Sequence, residues 1–122
     1  MYLLSVDSNF SAAHFLRDYQ GECARLRGHT WGVTASVKVN EIGEMGMTVD
    51  FKAISAALNE AVKKFDHQTL NDLKEFENAN PTAENIARSL FNVLEKKITD
   101  LGAILDSVTV EESAKCRVTY FK

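Results

Sequence analysis

Three side chains able to do chemistry crowd into one short run, Cys23-Ala24-Arg25-Leu26-Arg27-Gly28-His29. A thiol can serve as base or metal ligand, an imidazole can carry a proton or bind a metal, and a guanidinium is a fixed cation that clamps anionic oxygen. In an extended backbone Arg27 and His29 point the same way, because alternate residues share a face. They continue the row Trp31, Val33, Ala35, Val37 and Val39, which alternates with Thr34, Ser36, Lys38 and Asn40. Such alternation marks a half-buried strand, so both polar groups aim at the covered side of a sheet. Two other rows end in the same way. His14 closes the parity of Leu4, Val6, Phe10 and Ala12, and Glu112, rather than Glu111, continues Val108 and Val110.

Taken singly, each residue has a plainer reading. A histidine in an apolar row is commonly a hydrogen-bonded core residue, a lone cysteine is commonly structural, and a glutamate at a strand end is commonly solvated. Asp66-His67 sets a carboxylate beside an imidazole, which can hold the ring's proton and orientation, yet a histidine at a helix end also interacts with the helix dipole. Thr82 and Glu84 read equally well as a helix cap and a first-turn acid. On the residues alone these plainer readings stand, although a guanidinium and an imidazole aimed at the covered side of a sheet call for a reason.

The elements that must position these groups follow from periodicity. Residues 2–15 form one long strand and residues 29–40 a second. Glu41-Ile42-Gly43-Glu44-Met45-Gly46 fits a hairpin-like connection to Met47-Thr48-Val49. Asp50 is a favoured cap for a helix whose apolar stripe is Phe51, Ile54, Leu58, Val62 and Phe65, ending near Asp66-His67. Residues 68–80 read as an ordered loop. After Pro81 a second helix, capped by Asn80 or Thr82, carries Ile86, Leu90, Val93, Leu94 and Ile98 and stops at Gly102. Strands at Val108–Glu112 and Arg117–Phe121 complete the order β-β-α-α-β-β. The fold class is therefore α+β: one domain over residues 1–122, a four-stranded antiparallel sheet with two helices on one face. Such a sheet leaves its edges open in a monomer, which edge-to-edge oligomerisation would close.

Composition narrows the function classes. A chain of 122 residues with 45% hydrophobic and 25% charged residues suits one soluble domain. A net charge of −3 with no long charge run gives no field for nucleic acid. No stretch reaches the roughly 20 apolar residues that span a bilayer. Two cysteines, and an opening segment without a basic or long apolar region, point to a reducing, cytoplasmic setting.

Six segments together resemble the 6-pyruvoyltetrahydropterin synthase and 6-carboxytetrahydropterin synthase family. They are Phe10-Ser11-Ala12-Ala13-His14, Cys23 through His29, Asp50-Phe51, Phe65-Asp66-His67-Gln68-Thr69-Leu70-Asn71, Pro81-Thr82-Ala83-Glu84-Asn85 and Val108-Thr109-Val110-Glu111-Glu112-Ser113, in register along nearly the whole chain. The resemblance implies a tunnelling fold, in which three subunits close a twelve-stranded barrel, two trimers stack into a homohexamer, and active sites form between subunits. It implies a zinc held by three histidines, with His14 and His29 matching two of them. Cys23 matches the catalytic cysteine, Asp66 and His67 a catalytic pair, Glu112 the anchor of the pterin ring, and Thr82 a threonine beside that ring.

One position departs from the pattern. The family runs from its cysteine through three residues to His-Gly-His, and this chain to Arg27-Gly28-His29. Arginine has no lone pair for a metal, whereas a catalytic zinc typically takes three protein ligands and an open position. Affinity is expected to fall by orders of magnitude unless another group, such as Cys23, moves in and gives up its role as base. Alternatively, Arg27 replaces the metal electrostatically and holds an alkoxide-like oxygen.

Within that resemblance, the short run between Cys23 and His29 is similar to the 6-carboxytetrahydropterin branch of the queuosine route, which implies a lyase converting 7,8-dihydroneopterin triphosphate to 6-carboxytetrahydropterin, acetaldehyde and triphosphate without a redox cofactor. The alternatives are the 6-pyruvoyltetrahydropterin synthase type of lyase, another cleavage of a pterin side chain, and a pterin- or purine-binding homologue that lost the zinc-dependent activity through Arg27. On every reading the partner is a small heterocycle, with neither nucleic acid nor membrane.

Overall fold

Alternation carries β1 from Tyr2 to His14 and β2 from Arg27 to Val39, and the two pair antiparallel along their full length. The computed structural model describes residues 1–122. Register sets Phe10 opposite Trp31, Ala12 opposite His29 and His14 opposite Arg27, so the polar ends of both inward rows meet. β2 starts two residues before the expected position, at Arg27 itself.

Asp50 caps α1 (Phe51–Lys63) as its type dictates, its carboxylate accepting the Lys52 N–H at 2.8 Å. The segment before it is only partly as expected. Gly43 N–H donates to the Met47 carbonyl at 2.6 Å, closing a turn, but Met47–Val49 forms no strand. After α1 comes a correction: Gln68–Thr69, expected in a loop, forms a short β3 parallel to Ala12–Ala13 of β1. The sheet therefore has five strands rather than four.

α2 (Ala83–Asp100) takes Thr82 rather than Asn80 as its cap, the hydroxyl accepting the Asn85 N–H at 3.1 Å. β4 (Ile104–Ser113) and β5 (Cys116–Phe121) complete the order β3-β1-β2-β4-β5. β4 lies antiparallel to β2, and β5 to β4. Both helices cover one face, burying Phe10, Trp31, Phe65, Phe76, Phe91 and the aliphatic rows between them. The other face carries hydroxyl pairs such as Ser5–Ser36 and Thr109–Thr119. Neither helix is long and apolar enough to cross a membrane.

Thr82→Ala removes a cap and leaves the first turn of α2 short of an acceptor. Stability is expected to fall by about 1 kcal/mol, or about 4 °C in Tm by calorimetry. A loss of ligand affinity well beyond that small destabilisation would mark Thr82 as a contact residue too.

Candidate active site

The inward rows converge at the end of the sheet where β1 finishes and β2 begins. His14 is buried, and its Nδ1 lies 2.8 Å from the Pro81 carbonyl, just ahead of α2. A carbonyl only accepts, so Nδ1 carries the proton and a neutral His14 presents the lone pair of Nε2. His14 and His29 stand edge-on to Trp31, with ring centroids 4.8 and 5.4 Å from it. Both Nε2 atoms face a single oxygen, Glu112 Oε1, at 3.5 Å from His14 and 3.2 Å from His29. Neither approach is a hydrogen bond, and both nitrogens are buried without a partner.

Glu112 reaches that position through a bulge. Glu111 pairs with Arg117 and Ser113 with Cys116, which leaves Glu112 as the extra residue of β4. Bulges re-aim side chains and recur beside active sites. Glu111 turns away to Arg117, accepting from its Nε at 3.0 Å. Glu112 also borders a depression that includes Ala83, Glu84 and Arg117.

Arg27 joins this cluster to Cys23. Its Nη2 donates to Cys23 Sγ at 3.3 Å and lies 3.8 Å from Glu112 Oε1. Cys23 sits in a helical turn, Glu22–Ala24, anchored by Leu16 N–H donating to the Cys23 carbonyl at 2.8 Å. The thiol thus contacts Arg27 and stays out of the histidine cluster. Burial lowers the His29 pKa, opposed by Glu112 and reinforced by His14 and Arg27, so the ring is neutral near pH 7.

His14, His29 and Glu112 offer three donor atoms within 4.8 Å of one another, a set able to hold a metal ion. Two imidazoles and a carboxylate are an established donor set for zinc. A hydrogen bond fixing the ligand's other ring nitrogen, as Pro81 does for His14, is the usual support of such a site. The residues present therefore fit a divalent cation, although Arg27 contributes no donor.

Asp66 and His67 form a second cluster at the outer edge of β1. Asp66 Oδ1 accepts the Ser11 N–H at 2.8 Å, and Oδ2 lies 2.8 Å from His67 Nδ1. That pairing of neighbours is possible because His67 adopts a left-handed backbone, φ 58°, with its N–H donating to the Ser11 carbonyl at 2.6 Å. The Ser11 N–H, then His67, hold the Asp66 carboxyl below its usual range. The His67 ring is largely exposed and borders an open groove lined by Ser11, Ala13, Gly28 and Thr30, with Ala12 and His29 also on its wall. Within one chain no hydrogen bond or ion pair links this pair to Cys23 or Glu112. Of the residues singled out by sequence, His14, Cys23, Arg27, His29 and Glu112 come together, while Asp66 and His67 form their own group.

Sequence reasoning missed the clamp that holds these parts. Arg17 donates to the Phe76 carbonyl at 2.8 Å and the Asn71 carbonyl at 3.0 Å. Asn71 hydrogen-bonds both backbone groups of Phe15, and Asn80 both of Arg17. This network pins residues 70–80 to the end of β1 and so fixes the Pro81 carbonyl against His14. The only signal for it was two asparagines in a polar stretch.

Residues 3–122 match the family described as 6-pyruvoyl tetrahydropterin synthase. The chain is 36% identical over 127 aligned residues to a 6-carboxy-5,6,7,8-tetrahydropterin synthase of Synechocystis sp., covering 99% of this chain and 94% of that protein. It is 30% identical to the Bacillus subtilis protein of the same name, covering 93% and 73% respectively. In fold it is similar to the Caenorhabditis elegans 6-pyruvoyl tetrahydropterin synthase, with a TM-score of 0.88 over 99% of this chain and 95% of that one, at 24% identity.

Proposed function

This chain belongs to the 6-pyruvoyl tetrahydropterin synthase family, and on that premise we propose that it is a lyase of the 6-carboxytetrahydropterin synthase type. Its substrates are 7,8-dihydroneopterin triphosphate and one water, and its products are 6-carboxytetrahydropterin, acetaldehyde and triphosphate. The observation that carries this reading is the meeting of Cys23, Arg27, His14, His29 and Glu112 at one end of the sheet. The carboxy branch is favoured by the three-residue spacing between Cys23 and Arg27 and by the names of the Synechocystis and Bacillus relatives.

Each residue then has a task. Cys23 removes a proton from a side-chain carbinol, held in place by its contact with Arg27. Glu112 accepts N–H groups from the aminopyrimidinone edge of the ring, and Thr82, beside the depression that Glu112 borders, lies next to that ring. Asp66 orients His67 for proton transfer to the substrate. Because the pair sits at the outer edge of β1, with no hydrogen bond or ion pair to Cys23 or Glu112, it serves the site of a neighbouring subunit in a barrel-forming homohexamer. A zinc ion held by His14 and His29 would orient the carbinol oxygens and lower their pKa. The setting is cytoplasmic, in the route to queuosine.

A second reading, a pterin-binding homologue without turnover, draws on Arg27 in place of a third histidine. Incubation with 7,8-dihydroneopterin triphosphate separates the two. Release of acetaldehyde with a new 6-carboxy pterin is the expected result. A new pterin without acetaldehyde indicates the pyruvoyl branch, and ring binding with neither product leaves a binding protein.

A further inference from the structure

We propose that His14, His29 and Glu112 form a mixed site for a divalent cation of the zinc class, with Glu112 taking the place of a third imidazole and Arg27 balancing its charge. The lone pair on His14 Nε2 faces a carboxylate oxygen at 3.5 Å, and His29 Nε2 faces the same oxygen at 3.2 Å, with no hydrogen bond at either nitrogen. Arg27 offsets the carboxylate charge from one side, at 3.8 Å, but satisfies neither imidazole nitrogen, and a cation among the three donors would engage all of them. Donors around a tetrahedral zinc stand about 3.4 Å apart, given bonds of about 2.0–2.1 Å. The two distances bracket that value.

Charge explains why arginine is compatible with such a site. A divalent ion on three neutral imidazoles keeps both its positive charges. Exchanging one imidazole for a carboxylate removes one of them. The Arg27 guanidinium, 3.8 Å from Glu112 Oε1, supplies it again without itself being a ligand. The local field that would stabilise a developing oxyanion is thereby retained. A consequence follows for the ring: with Oε1 given to the cation, only Oε2 is left to accept from a pterin N–H, so ring anchoring rests on one hydrogen bond rather than two.

The inference refines the site on which the proposed reaction rests, but its test needs no substrate, so either can fail alone. The chelator-treated full chain is titrated with Co²⁺, following d–d absorption and competition with a chromophoric chelator. The expected result is one tightly bound Co²⁺ per chain with the spectrum of a low-coordinate nitrogen and oxygen site. Glu112→Gln should weaken binding about a hundredfold or more, beyond the effect of altering a group that only supports a ligand. Adding Arg27→His to that variant should restore affinity to within about tenfold of the parent, because a true third imidazole is then present. No stoichiometric uptake by the parent overturns the proposal. So does unchanged affinity in Glu112→Gln, or a loss that Arg27→His fails to rescue.

Discussion

Cys23→Ala should lower kcat for 7,8-dihydroneopterin triphosphate by about 10²–10⁴-fold, the range expected when a positioned general base is removed. Binding of the ring should change by less than about threefold, because that residue is not among the groups proposed to hold it. The thiol sits on a turn fixed by the Leu16 N–H, and Arg27 donates to it across 3.3 Å. Alanine removes the acceptor but leaves the turn's backbone bond intact. A paired variant separates chemistry from geometry: Cys23→Ser keeps an acceptor for Arg27, yet a hydroxyl ionises far less readily than a thiol. Both variants should therefore be similarly inactive. If the serine variant worked at a tenth of the parent rate or better, the contact with Arg27 rather than proton abstraction would be the residue's contribution. Retention of most turnover by the alanine variant would remove Cys23 from the mechanism.

Much of this site was legible because period-2 alternation fixes the face of every residue on a strand, and antiparallel pairing carries that face across the sheet. His14, Arg27 and His29 could be placed on the covered side from parity alone, and the cap at Asp50 from residue type. What escaped prediction depends on contacts distant in sequence. β3 has only two residues, too few for any period to show, and exists because the clamp around Asn71 and Arg17 brings it to the edge of β1. The choice between Asn80 and Thr82 as cap was open because both types cap well. Asn80 is instead committed to the backbone of Arg17. Glu112 was placed on the correct side, but its approach to the histidines required a bulge that parity cannot express. The direct Asp66–His67 pairing was likewise hidden, since neighbouring residues face each other only when the backbone leaves the ordinary regions, as φ 58° at His67 does. The group that approaches both histidines where a third imidazole was expected is Glu112, not Cys23, a result set by the packing of three strands rather than by spacing along one.

Trp31→Ala should be the most destabilising substitution in the chain. The side chain is fully buried, lies 6.0 Å from the Phe10 ring in a near-parallel stack, and donates its indole N–H to the Ala12 carbonyl at 3.3 Å. Truncations of this size cost about 3–5 kcal/mol, a large share of the 5–15 kcal/mol by which a domain is ordinarily stable. For a chain of this length that corresponds to roughly 12–20 °C in Tm. Trp31→Phe retains most of the apolar volume and gives up the hydrogen bond, so a loss nearer 1–2 kcal/mol is expected. Urea unfolding at constant m-value measures both. The comparison also tests how the site is built. His14 and His29 both lean on the edge of this indole, so the phenylalanine variant should keep Co²⁺ affinity within about tenfold, whereas the alanine variant should lose it even at temperatures where it remains folded. Equal Co²⁺ affinity in the folded alanine variant would mean that the strand backbone, with the Pro81 carbonyl, orients the imidazoles without the wall. If the wall is required, the core and the site share one residue, and the two histidine donors cannot spread apart without the sheet losing its central contact.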